Sequence, residues 1–352
     1  MSTEPLTSAI KRLASGESLD GGAITLAFSV IMRGEGTPAQ VAALLMALRM
    51  KGETATEVAG VVEALREAMV VLPARAPEDL VDTCGTGGGA LTTFNISTAA
   101  ALLAAGMGVR VAKHGNRSFT SRSGSADVLE ALGVVIDTTP AAMAATLEEA
   151  GIVFMFAPLM HPALRHVGPV RRELAIHTVM NIVGPLANPA RAGRQVVGVA
   201  EPARLSLLAE ALAKLGTRRA MIVHGEPGLD EVSPIGPSTV IEVRDGQLRE
   251  WIIDPAVAGI RGVQPSDLDG GDPAQNAAVI EAVLQGGGAP GAVAAVVLNA
   301  AAALYVSGAT SGYADAVSQT RDALAAGAGA SALTKLRAAS QAHARPGPRA
   351  AP

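Results

Sequence analysis

The sequence predicts an α/β protein in which a small N-terminal α-helical domain precedes a large α/β domain with a mostly parallel central sheet flanked by helices. Three observations carry this. The first seventy residues read as capped helices, short apolar runs then alternate with helical stretches, and a glycine-rich turn joins one such run directly to a helix.

In chain order, "TPAQVAALLMALRMKG" offers Thr37 as N-cap, Pro38 at the first helical position and Gly52 just past the end. Thr54 and Glu57 have capping-box spacing, and Val58, Val61, Val62, Leu65 and Met69 recur on one face behind them. Pro73 and Pro77 close the helical unit. Beyond them "VRVA", "IVFMFA", "QVVGVA" and "RAMIVHG" read as strands, alternating with helices such as "ADVLEALG" and "RLSLLAEALAKLG". In "TVIEVRDGQLREWIID", Asp245 and Gly246 separate two alternating runs, which predicts a hairpin at an edge of the sheet. The run from Gly291 to Ala309 has about the length of a membrane span, but Asn299 interrupts it and alanine supplies little hydrophobic drive. A buried helix is expected there, and no membrane. These features divide the chain into a helical domain over 1–73, an α/β domain over 78–338 and a disordered tail over 339–352.

Composition narrows the function. Apolar residues make up 49% of 352 and charged residues 17%, enough for a large core packed mainly with small side chains. A net charge of −4 gives no general field for nucleic acid, so any polyanion must be held by a local arrangement. The single cysteine, Cys84, cannot form an internal disulfide, and "MSTEPLTSAIKRL" has no basic region followed by an apolar core, so the expected location is the reducing cytoplasm.

The run "DLVDTC" predicts a strand and "NISTAAALLAAG" a helix, so Gly85, Gly87, Gly88 and Gly89 fall on a strand-to-helix loop at the carboxyl edge of the sheet. Glycines there allow positive φ and close backbone approach, and the helix start turns free N–H groups toward an anion. Thr86, Thr93, Ser97 and Thr98 add hydroxyls. The spacing is neither a dinucleotide fingerprint nor a P-loop, and alone it reads equally as a plain loop. After the next strand, however, "VAKHGNRSFTSRSGSADVLEALG" brings Lys113, His114, Asn116, Arg117, Ser118, Thr120, Ser121, Ser123 and Ser125. A solvated polar loop is the bland reading of that stretch. Two such loops after successive strands converge on one edge, where they could surround a ligand with several phosphates.

The segments "TCGTGG" and "TFNIST", then "KHGNR", "HPALRHVGPVRREL" from His161, "NIVGPLANP" from Asn181, "GLDEVSP" with Asp230 and Glu231, and "VLNAAAALYV" stand in one order from the first helix to near Leu336. In that order they resemble the anthranilate phosphoribosyltransferase family of tryptophan biosynthesis, which joins anthranilate to phosphoribosyl pyrophosphate (PRPP). The resemblance implies that about 163–190 rejoins the helical domain and that the helical domains form a homodimer. It assigns PRPP to Gly85, Gly88, Gly89, Thr93, Asn95, Ile96, Ser97, Thr98, Lys113, His114, Gly115, Asn116, Arg117, Ser118, Phe119, Thr120, Ser121 and Ser125. Anthranilate falls to Gly85, His114, Asn116, His161, Arg171 and Pro185, and Mg2+, two per monomer, to Ser97, Asp230 and Glu231. On their own residues, the acidic pair reads as surface acids and Arg171 as a solvated helix charge. His166, His177 and His224 are expected to be structural, and Cys84 a small buried residue rather than a nucleophile.

The motifs contain no nucleophile paired with a base, so the expected reaction is direct displacement at the ribose C1 by a neutral aryl amine, with Asn116 and Arg171 positioning it. Two departures from the family pattern matter. Gly89 stands where the family has aspartate, which predicts altered magnesium dependence. Ala175, His177 and Met180 replace the common glycine, arginine and phenylalanine, which leaves a related aromatic amine open beside anthranilate. A pyrimidine nucleoside phosphorylase shares the two-domain plan, but its lysine-serine phosphate motif is not found. A non-catalytic nucleic-acid-binding relative would show a basic surface and an eroded acidic pair, against the −4 charge and the presence of Asp230 and Glu231.

Overall fold

The computed structural model describes residues 3–118 and 122–344. Four helices come first, α1 (Glu4–Ala14), α2 (Gly21–Met32), α3 (Pro38–Lys51) and α4 (Ala55–Ala68). The expected caps are present: the Thr37 and Thr54 hydroxyls accept from the N–H groups of Gln40 and Glu57, and each of those side chains returns to the cap backbone. Glu57 does more than cap. It is fully buried, accepts from the Leu19 N–H and pairs with Lys51 Nζ at 2.8 Å, tying α4 to the chain ahead of α2.

The α/β part follows as β1 (Val81–Gly85), α5 (Ile96–Gly106), β2 (Val111–Gly115), α6 (Ser125–Ala131), α7 (Pro140–Ala150), β3 (Ile152–Phe156) and the short α8 (Ala157–Met160). Then come α9 (Gly168–Leu174), α10 (Met180–Val183), β4 (Arg194–Gly198), α11 (Leu205–Lys214), β5 (Arg219–Gly225), β6 (Ser238–Arg244) and β7 (Gln247–Ile253). Four helices finish the chain, α12 (Pro273–Leu284), α13 (Pro290–Ser307), α14 (Tyr313–Ala325) and α15 (Ala328–His343). The strands form one sheet in the order β3-β2-β1-β4-β5-β6-β7. The first five run parallel, and the β6–β7 hairpin closes the far edge antiparallel, with Asp245 and Gly246 both at positive φ as a two-residue turn requires.

Strand alternation sorts side chains onto two faces. Val196, Met221 and Val223 enter the core under α5 and α13, while Val197, Ala220 and Ile222 enter the core shared with α11 and the N-terminal helices. That second core also takes Val167, Val170, Val179 and Ile182, so residues around α9 and α10 pack with Leu44, Leu45 and Val61 of the first four helices.

Among the described residues α13 is the one helix long and apolar enough to cross a membrane, and 78% of its apolar window is buried inside the protein. Asn299 within it is functional ballast for the fold: its Oδ1 accepts from Val232 N–H at 2.8 Å and its Nδ2 donates to Val232 O at 2.9 Å. At the amino edge of the sheet, Arg194, Arg218, Arg219 and Arg244 line a cavity of about 320 Å³. Two of them serve the carboxyl end of α13. Arg219 and Arg194 donate to Tyr305 O and Val306 O, and Asp79 and Glu242 take up charge from Arg194, Arg218 and Arg219.

The expected tail begins later than residue 339. Helix α15 continues to His343 because Ala339 and Ser340 are buried and the Ser340 hydroxyl accepts from Val135 N–H. Residues 345–352 lie outside the described residues.

Replacing Asn299 by Leu keeps the branched outline of the side chain, though not its volume, and removes both partners of Val232. The expected cost is about 1–3 kcal/mol for each group left unpaired, seen as a lower urea midpoint with an unchanged slope.

Candidate functional site

The glycine-rich loop leaves β1 at Gly85 and enters α5 at Ile96, with Gly87 and Gly88 at φ +69° and +78°. Its backbone is sewn to neighbouring loops: Thr86 N–H donates to Gly198 O at 2.9 Å and Ala90 N–H to Gly228 O at 2.8 Å. The acidic pair lies against it. Asp230 Oδ2 accepts from Gly87 N–H at 2.8 Å, and Glu231 Oε1 accepts from Ser97 N–H, in the first turn of α5, at 3.2 Å. Space for this approach comes from strand-ending glycines. A Cβ on Gly85 would lie 2.5 Å from Asp230 Oδ2, and one on Gly198 would overlap the Asp230 carbonyl.

Neither Asp230 nor Glu231 forms an ion pair among the described residues, and no group of three His, Cys, Asp or Glu side chains suited to a metal occurs among them. Burial raises both carboxyl groups above their usual range, Glu231 to about 8, with the charge of Asp230 as its second cause. Behind them Lys113 is buried, its Nζ donating to Thr83 O at 2.5 Å and to Ser97 Oγ at 3.2 Å, and burial lowers its pKa. Asp82 shares this interior. It accepts from His114 N–H and Asn188 Nδ2, and desolvation raises it.

The second loop starts at Gly115, where an added Cβ would overlap the Ser125 hydroxyl. Asn116 O accepts from Ala126 N–H and Ser125 Oγ, which closes the loop onto α6. Arg117 is turned to α6 as well, pairing with Asp127 and Glu130 and lying over the Phe156 ring at 5.4 Å. Its charge is therefore engaged by two carboxylates rather than open toward the first loop. Thr98 is 1% exposed, with no partner for its hydroxyl among the described residues, so it too faces inward. Ile96 is buried and its N–H bonds Phe94 O. Thr93 bridges to Asp269 as an isolated pair. Phe119, Thr120 and Ser121 lie outside the described residues.

Beside these loops, between β1, β2 and the α4, α9 and α10 helices, a cavity of about 210 Å³ is lined by Gly85, His114, Gly115, Asn116, His161, Arg171 and Pro185, together with Leu65, Cys84 and Met180. That volume suits a single-ring molecule better than a larger one. The His114 and His161 rings stand 4.9 Å apart; burial holds both neutral, His161 at about 4, and the Nε2 of each lacks a partner among the described residues. Arg171 makes no side-chain hydrogen bond or ion pair among the described residues, and burial lowers its pKa. Among the described residues the cavity is thus an apolar slot with one cation, Arg171, that has no side-chain partner. Cys84 Sγ lies 3.6 Å from Pro185 O and burial pushes its thiol well up, so it is inert packing.

Of Ala175, His177 and Met180, which form the second departure from the family pattern, Met180 lines this cavity. Ala175 ends α9 at φ +51°, a left-handed position where glycine costs least. His177 is not packed structure as the sequence suggested: its side chain is 61% exposed, 3.5 Å from Glu201, with its ring beside Gly88. His224 does anchor the interior through Nδ1 to Val199 O. Sequence reasoning missed Asp82, Thr83, Asn188 and Asn276. Asp82 and Thr83 adjoin the first loop in the chain, but their partners His114, Asn188, Lys113 and Ser97, like those that tie Asn188 and Asn276 to the site, are distant in sequence.

Because Glu231 holds its proton more tightly folded than unfolded, its ordinary value being 4.5, the folded state loses stability as pH rises from that value through about 8. In metal-free buffer, Glu231→Gln is expected to flatten the fall of Tm across this window. Parallel Tm–pH curves for the two proteins would contradict the assignment.

Comparison with known proteins agrees with this geometry. A family model described as the helical bundle domain of a glycosyl transferase family matches residues 7–69, and its a/b domain counterpart matches residues 77–330. Anthranilate phosphoribosyltransferase of Thermomicrobium roseum is 48% identical over 95% of this chain and 97% of that protein, and the Geobacillus kaustophilus enzyme is 44% identical over 94% and 96%. The crystal structure of anthranilate phosphoribosyltransferase from Thermus thermophilus superimposes with a TM-score of 0.89 at 41% identity, covering 95% of this chain and 99% of that one. The Saccharomyces cerevisiae enzyme in complex with PRPP and Mg gives 0.87 at 26% identity over 97% and 99%. The chain belongs to the anthranilate phosphoribosyltransferase family.

Proposed function

We propose that this protein transfers the phosphoribosyl group of PRPP to the amine of anthranilate, giving N-(5-phosphoribosyl)anthranilate and pyrophosphate in tryptophan biosynthesis. The observation that carries the reading is the meeting, at one sheet edge, of two donor-rich loops and an acidic pair with a single-ring cavity whose arginine has no partner among the described residues. Its family members support the substrates, since the yeast enzyme has been solved with PRPP and Mg and with 4-fluoroanthranilate.

In this reading Gly85, Gly88, Gly89, Thr93, Asn95 and Ser97 of the first loop, with Lys113 to Ser121 and Ser125 of the second, hold PRPP through N–H and hydroxyl donors to its phosphates. Thr98, Ile96 and Arg117 contribute to the shape and anchoring of those loops in the conformation described. The anthranilate ring occupies the slot, Arg171 meets its carboxylate, and Asn116 stands where the two sites join. Neutral His114 and His161 fit an aromatic neighbour and add no competing charge. As the C1–O bond breaks, its electron pair leaves with pyrophosphate. The amine lone pair forms the C1–N bond, and one proton then departs to solvent. An aryl amine is neutral at working pH, so positioning suffices without a dedicated base.

The donor set fits magnesium, which takes one or two carboxylates and fills its shell with water and substrate phosphates. Asp230, Glu231 and the Ser97 hydroxyl would hold it, two ions per monomer, and it would supply charge neutralisation for the departing pyrophosphate. The same reading includes a homodimer in the cytoplasm. Leu26 and Met50 of α2 and α3, 59% and 78% exposed, are the apolar surface a second copy would cover, and Cys84 is a free thiol as a reducing compartment maintains it.

The first test is the loss of anthranilate fluorescence on adding protein, PRPP and Mg2+. Rapid loss needing all three, and reduced at least about a hundredfold by Asp230→Ala with Glu231→Ala, is expected. No loss with the intact chain would overturn the reading. The departure at Gly89 has its own test, because a Cβ there would lie 3.4 Å from Asp230 Oδ1 and 3.0 Å from Gly228 O. Gly89→Asp would add a third carboxylate beside the pair, and its magnesium titration is expected to shift from that of the native chain. Superimposable curves would remove any role for the missing carboxylate.

A further inference from the structure

Helix α12 sends one side chain back to the first loop. Asn276 is 2% exposed, and its Oδ1 accepts from Gly271 N–H at 2.7 Å. Its Nδ2 donates to Asn95 Oδ1 at 2.9 Å, and Asn95 Nδ2 in turn donates to Ser123 O at 3.1 Å. The Ser123 hydroxyl also reaches Asn95 Oδ1, at 3.4 Å. Both ends of this relay are backbone groups of fixed character, an N–H at Gly271 and a C=O at Ser123. The direction of every bond between them is therefore set, although each amide alone could be turned over.

We propose that Asn276 is a positioning residue for PRPP, locking the Asn95 amide with its oxygen inward so that its remaining N–H is offered to the ligand as a donor. An asparagine amide has two N–H donors and one oxygen. Here the oxygen is occupied by Asn276 and Ser123, and one N–H by Ser123 O. What is left is a single donor, the complement of a phosphate or ribose oxygen and of nothing that must itself donate. The relay also joins three segments that the ligand has to find in register: the first loop through Asn95, the second through Ser123, and 268–276 through Gly271. Backbone bonds from Phe94 N–H to Leu268 O and from Gly270 N–H to Thr92 O hold the third segment against the first, so Asn276 acts from a rigid base.

This inference rests on the proposed function, and the experiment separates the two. Wild type must first show PRPP-dependent loss of anthranilate fluorescence; failure there sinks the functional reading itself. Asn276→Asp keeps the shape and replaces a donor by an acceptor, which would turn the Asn95 amide over. The KM for PRPP is expected to rise about tenfold, with the KM for anthranilate little changed. Protonating the new carboxyl restores one donor, so in this variant the KM for PRPP should recover toward the native value as pH is lowered, beyond any trend in wild type. A double-mutant cycle covers the case in which the aspartate variant does not fold. If Asn276 works through Asn95, Asn276→Ala should add nothing to the PRPP defect of Asn95→Ala. An unchanged KM for PRPP in Asn276→Asp, or additive effects in the cycle, would overturn the proposal.

Discussion

Everything at the ligand edge depends on how closely the 228–232 segment approaches the ends of β1, β4 and β5. Parallel strands place their carboxyl ends together, and register aligns Gly85 with Gly198, so two positions without a Cβ lie side by side. A Cβ on either would collide with Asp230, and one on Gly225 would collide with the Glu231 backbone. Because the approach is this close, the acidic pair can take N–H groups from Gly87 and Ser97 in place of water. The first loop is held open by the same contact.

Charge is handled at this edge by desolvation more than by pairing. Asp82 and Lys113 are buried and Asp230 and Glu231 half-buried at this edge, and desolvation raises the carboxyl groups and lowers the ammonium. A site prepared in this way gains when a polyanion and its counter-ions arrive, since both supply the compensation that the protein withholds. The neighbouring slot follows the opposite course. Its histidines are neutral, and among the described lining residues Arg171 alone keeps a charge, which matches a ring bearing one carboxylate better than a polyphosphate.

The architecture was legible where local chemistry decides it. Thr37 with Gln40 and Thr54 with Glu57 announce helix starts, Asp245-Gly246 announces a hairpin, and Asn299 marks an apolar helix as internal. Both ligand loops were legible for the same reason, since a strand, a turn rich in glycine or serine and a helix start are short-range signals. Three things were not. Arg117 was assigned to PRPP, and nothing local showed that Asp127 and Glu130, one helix turn apart on α6, would both pair with it. His177 read as structure but stands exposed at the rim. Asn276 was not singled out at all, because its partner lies 181 positions earlier and only the tertiary fold joins them.

The grip of Asn299 on Val232 also bears on how the protein is made. A ribosome delivers the chain from its amino end, so the glycine loop, the serine loop and the acidic pair are all synthesised before α13. Until that helix packs, the backbone of Val232 has no partner in Asn299, and the carboxylates one and two residues earlier lack the anchor that sets their distance from Ser97 and Gly87. The hydrogen bonds that fix the backbone behind the acidic pair are thus among the last the growing chain can make, since their donor and acceptor side chain is residue 299 of 352.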